Sequence, residues 1–91
     1  MKVVKRKDNK ISISELVKNF NKYIIVANKE ECIYVLINWV EDFVWINLRG
    51  NGIWNECSNV SAALQAVDIE KLYAFDSYRD FAEWLEKIKK D

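Results

Sequence analysis

Two β-prone runs stand almost back to back in the middle of this chain: Cys32 to Trp39, CIYVLINW, and Phe43 to Leu48, FVWINL, separated only by Val40-Glu41-Asp42. Successive side chains on a strand point to opposite faces. Val44, Ile46 and Leu48 therefore share one face, and Phe43, Trp45 and Asn47 the other. In the preceding run Ile33, Val35 and Ile37 oppose Tyr34, Leu36 and Asn38. Both faces are apolar, whereas antiparallel ribbons commonly bury one face and wet the other. The ribbon is either covered on both sides or carries an apolar surface that has a use. The aliphatic triples match the aliphatic stripes of the flanking helices and are expected in the core. That leaves Tyr34, Leu36, Phe43 and Trp45 on the second face, joined by Trp54 or Ile53 according to register. A helix laid over this face would make a three-layer domain with every ring inside. Left open, the face would expose more apolar surface than monomers usually show.

The remaining punctuation is sparse. The chain has no proline, and its glycines are Gly50 and Gly52. Turns must come from Asn, Asp, Ser and Lys. Ser12-Ile13-Ser14-Glu15 reads as a capping box. Ile13, Leu16, Val17 and Phe20 follow at helical spacing, with the helix expected to end near Lys22 because Tyr23-Ile24-Ile25-Val26 is β-prone. Asn28-Lys29-Glu30-Glu31 is a turn. Arg49-Gly50-Asn51-Gly52 is a tight turn in which Asn51-Gly52 suits a type I′ hairpin. Ser58 or Asn59 caps a short helix bearing Val60, Ala63, Leu64 and Val67. Leu72 to Phe75 is a short strand, and Asp76 or Ser77 caps a final helix bearing Phe81, Trp84, Leu85 and Ile88. The expected fold is a single small α+β domain over residues 1–91. It has a mostly antiparallel sheet of four to five strands and about three helices, mainly on one face. Residues 1–10 form a basic N-terminal segment, an edge strand or a flexible arm. The order of ISISELVKNF before two β-prone runs resembles the opening of prevent-host-death type antitoxins; the likeness stops short of the aromatic hairpin and implies nothing about its use.

Several chemistries are disfavoured by composition. There is no histidine, which removes Ser-His-Asp and Cys-His catalysis. Two cysteines, Cys32 and Cys57, do not complete an ordinary structural zinc site without histidine. They read as core or near-core thiols, close enough to face each other only if their strands are neighbours. No phosphate-cradling glycine loop is present. No catalytic residue, metal or cofactor is expected, and the chain is not read as an enzyme. With no apolar leader and no run of membrane-spanning length, a cytoplasmic protein is expected.

Charge is balanced, 14 basic against 14 acidic residues, so no global field steers the chain to nucleic acid. It is unevenly spread, with Lys2, Lys5, Arg6, Lys7 and Lys10 at the start and Glu30, Glu31, Glu41 and Asp42 around the aromatic ribbon. Aromatic anchors carry much of the energy of interfaces. The expected function is a non-enzymatic protein-binding module, such as a small inhibitor, immunity or adaptor protein, of the kind phages and mobile elements encode. Its contact residues would be Tyr34, Leu36, Phe43, Trp45 and Trp54 with an acidic rim of Glu30, Glu31, Glu41 and Asp42, facing a basic partner protein or a second copy of the chain. The alternative is a single-strand nucleic-acid binder that stacks bases on the same rings. Lys2, Lys5, Arg6, Lys7, Lys10 and Arg49 would then hold phosphate, a weak arrangement because acids flank the rings.

Overall fold

The computed structural model describes residues 3–6, 9–29, 31–50 and 52–89, and of residues 3, 6 and 89 the backbone only. In chain order the elements are β1 (Val3–Arg6), β2 (Asn9–Ser12), α1 (Ile13–Lys18), a 3-10 turn (Phe20–Lys22), β3 (Ile24–Lys29), β4 (Cys32–Trp39), β5 (Asp42–Asn47), β6 (Ile53–Cys57), α2 (Val60–Gln65), a second 3-10 turn (Ile69–Lys71), β7 (Leu72–Phe75) and α3 (Tyr78–Lys89). The class is α+β, with more strands than the sequence suggested: seven form one sheet in the order β2-β1-β7-β3-β4-β5-β6. The added strands come from residues 3–12, which fold as a hairpin where one edge strand or a flexible arm was expected, while the β-prone run after Tyr23 forms β3. All pairings are antiparallel except β1 with β7, where Lys5 lies opposite Tyr73.

Local chemistry sets the helix starts. Ser12 Oγ accepts from the Glu15 N–H at 3.2 Å, half of the expected capping box. The other half is absent, because the Glu15 carboxylate accepts instead from Asn19 Nδ2 at 2.8 Å and Tyr23 Oη at 3.3 Å. The helix stops at Lys18, earlier than its apolar spacing implied, and Val17 is left exposed. Asn59 Oδ1 caps α2 through the Ala62 N–H at 2.8 Å, and Ser77 Oγ takes the Asp80 N–H at 3.1 Å at the start of α3. The loop after β5 opens on an Asx turn, with Asn47 Oδ1 accepting from the Arg49 N–H at 2.9 Å. Asn51, on which a type I′ turn would depend, lies outside the described residues.

The sheet is covered on both sides. Against one face pack α1 and α2, sealing Val4, Ile11, Ile25, Ala27, Leu36, Trp45, Leu72 and Ala74 beneath Leu16, Val60, Ala63 and Leu64. Against the other packs α3, whose Phe81, Trp84, Leu85 and Ile88 meet Ile24, Val26, Ile33, Val35, Tyr73 and Phe75. Two of the three helices share one face, and the third makes the domain three-layered.

Candidate functional site: the uncovered end of the sheet

The pleat is as the alternation requires. Leu36 pairs with Trp45, Ile37 with Val44 and Asn38 with Phe43, so rings and branched aliphatics do segregate to opposite faces. What inverts is which face is covered. Trp45 is fully buried and Leu36 is 4% exposed, so neither is available to a partner. Trp45 Nε1 donates to the Ala63 carbonyl at 3.0 Å. That oxygen belongs to the last turn of α2, where carbonyls lack helical partners. The indole therefore ties α2 down over the ribbon. Tyr34, Phe43 and Trp54 are half-buried against the same cluster. Tyr34 and Trp54 have ring centroids 5.5 Å apart, Trp45 and Trp54 6.2 Å, and Phe20 meets Phe43 edge-on at 5.2 Å. Lys29 Nζ sits 4.1 Å from the Trp54 ring centroid and covers its outer side. The rings anticipated as a contact surface are thus interior or lidded, because α2 and α1 cover the face they share.

Trp54 reaches this cluster through a break in register. Trp45 pairs with Asn55, but the next residue, Ile46, pairs with Ile53, so β6 carries one extra residue. Such a bulge shifts the alternation. It lets Trp54 and Cys57, three positions apart, pack against the same face. Cys32 and Cys57 do not adjoin, since β5 lies between their strands and Cys57 pairs with Phe43 near the β4–β5 turn, while Cys32 sits at the opposite end of β4.

The expected rim is divided. Glu41 and Asp42 are exposed at the β4–β5 turn, while Glu31 is exposed at the far end of β4, roughly 25 Å away at strand rise. Glu30, Lys2 and Lys7 lie outside the described residues, as does the Arg6 side chain. Lys5 and Lys10 lie on β1 and β2, and Arg49 in the β5–β6 loop. From β1 to β6 is five strand spacings, roughly 24 Å, so the described N-terminal lysines and the aromatic cluster form no common groove.

The surface left open is on the other face, beyond the reach of α3. Alternation puts Trp39 there with Ile33, Val35 and Ile37, of which α3 covers the first two. Trp39 is 62% exposed, Ile53 53% and Leu48 43%, with Ile37 and Ile46 half-buried between them and Val44 sunk to 2%. Asp42, opposite Trp39, and Glu56, opposite Val44, project on this same face. The patch has an apolar middle and an acidic end. At that end the two-residue turn raises Val40, 85% exposed with φ of 59°. A β-branched residue in the left-handed region is a genuine outlier, and strain of this kind tends to mark functional positions. Both sheet edges are blunted in the usual ways, β6 beside the patch by its bulge and β2 at the far end of the sheet by Lys10. The face is better suited to contact than either edge. Alternation alone placed Trp39 with Ile37; its consequence depended on where α3 ends its cover, which no local pattern specifies.

Among the described residues no group of three or more acidic or thiol side chains is placed to hold a metal ion, and no helix is long and apolar enough to cross a membrane. No family model matches the sequence, no curated protein matches it, and no solved structure matches the fold.

Proposed function

We propose that this protein acts by binding another protein, as a small inhibitor or adaptor, through the uncovered sheet face centred on Trp39, Ile53 and Leu48. The observation that carries the reading is the combination at one hairpin end: an exposed tryptophan followed by an exposed valine held at φ 59°. Most of each side chain lies in solvent. Trp39 buries little, and glycine or asparagine would make the turn with less strain. Tryptophan is among the residues most enriched at the energetic centres of interfaces. Asp42, Glu56 and Glu41 beside it favour a partner with a basic rim around an apolar pocket.

The test replaces Trp39 by the photo-crosslinker p-benzoylphenylalanine and, as a control, does the same at the exposed Val17 on the opposite face. Illumination in a lysate of the source cells is expected to trap a basic protein from position 39 and not from position 17. The yield should fall with added salt and with Asp42→Lys. Equal labelling from both positions, or no adduct at position 39, overturns the reading. A product at twice the chain's own mass assigns the surface to self-association and also overturns it.

A further inference from the structure

The opposite flank of α3 borders a second feature. Between α3 and the β1–β2 hairpin lies a cleft of about 390 Å³, lined by Lys5, Lys10, Tyr73, Phe75, Trp84 and Lys87 among others, within the size range of small-ligand sites. We propose that this cleft binds an aromatic phosphate of mononucleotide size, its ring against Trp84 and Tyr73 and its phosphate among the lysines.

Three observations converge. Lys5 and Lys10 are direct cross-strand partners, and both line the cleft, opposite in direction to the buried Val4 and Ile11. Like charges directly opposite on a ribbon repel. A lone lysine on β2 would suffice to discourage edge pairing; a matched pair turned toward a cleft is more than that task needs. Second, the three lysines outnumber the two acids that also line the cleft, Asp80 and Glu83. Glu83 is engaged by Arg79 at 3.6 Å and Asp80 also has a partner, while Lys5, Lys10 and Lys87 have no acidic partner among the described residues. Third, the floor is aromatic, with Tyr73 and Trp84 half-buried over the buried Phe75. Tyr73 and Trp84 have centroids 4.9 Å apart, Phe75 and Trp84 5.5 Å, and Lys5 Nζ stands 5.5 Å from the Tyr73 centroid. Rings present a stacking surface, and three ammonium groups suit a dianionic phosphate better than a single carboxylate.

The site is independent of the Trp39 face, and the experiment separates the two. 1-Naphthyl phosphate and neutral 1-naphthol are titrated against the intact protein while the indole N–H resonances are followed. The phosphate is expected to move Trp84 and leave Trp39 still, to bind at least tenfold more tightly than the naphthol, and to weaken with salt. Removing each exposed lysine charge should cost up to about fivefold in affinity. Lys10→Gln and Lys87→Gln, both at exposed positions compatible with folding, should each show it, and Lys10→Arg should restore binding. Equal affinity for the two probes, a shift at Trp39 in place of Trp84, unchanged affinity in both glutamine variants, or no saturation at millimolar phosphate overturns the proposal.

Discussion

Replacing Trp45 by phenylalanine tests the inverted ribbon most directly. The indole is fully buried and its N–H is bonded to the Ala63 carbonyl at 3.0 Å. Phenylalanine removes two ring carbons and that donor. At ~0.8 kcal/mol per buried carbon the lost burial is worth about 1.5 kcal/mol. Leaving the helix-end carbonyl without a donor adds about 1–3 kcal/mol. The sum, about 3 kcal/mol, is a large part of the stability of a domain this size, and corresponds to a fall in melting temperature of about 12–24 °C. Trp39→Phe, at a 62% exposed position, should stay within about 0.5 kcal/mol of the parent. Urea titration of both variants beside the parent gives the comparison. If the two unfold at the same midpoint with the same slope, Trp45 is not sealed under α2 and the assignment of the open face to Trp39 fails with it.

Val40→Asn should raise the urea midpoint by the equivalent of about 1 kcal/mol, since asparagine tolerates the left-handed conformation that valine resists; a lower midpoint would mean the turn is not strained. Asn59→Ala should destabilise by about 1 kcal/mol through loss of the α2 cap, detectable by thermal melting, and an unchanged melt would show that the Ala62 N–H is satisfied otherwise. Mild oxidation should form no Cys32–Cys57 disulfide, because the two thiols belong to strands separated by β5 and to opposite ends of the ribbon. Mass spectrometry after alkylation in denaturant should then find both thiols of the monomer alkylated, and an intramolecular link would contradict the register.

Much of this architecture was legible because it is local. The alternation in CIYVLINW and FVWINL predicts which side chains share a face, and the register bears it out pair by pair. The caps at Ser12, Asn59 and Ser77 follow from side-chain oxygens meeting nearby backbone donors. What local pattern did not contain was cover. Branched aliphatics and rings are comparably apolar, so nothing in the ribbon states which set meets helices. That was decided by α2, six residues long, closing over Trp45, and by α3 ending its contacts at Val35. The same limit hid Trp39. Strand count was underestimated because residues 3–12 fold as a β1–β2 hairpin and not as one segment, and this hairpin joins the sheet through a parallel pairing with β7, far away in sequence, which leaves no periodic trace.

The placement of β7 has a consequence for how the molecule holds together. Without Leu72–Phe75 the strands fall into two unconnected blocks, the β1–β2 hairpin and the β3–β6 meander, each with a bare edge. One four-residue segment docks into both edges at once, so the two blocks gain or lose their common ladder in a single event. The amides of the innermost paired residues, Ile25 and Ala74, should consequently exchange with deuterium only when the whole domain opens. Exchange there with a denaturant dependence smaller than that of global unfolding would show that the clasp releases on its own.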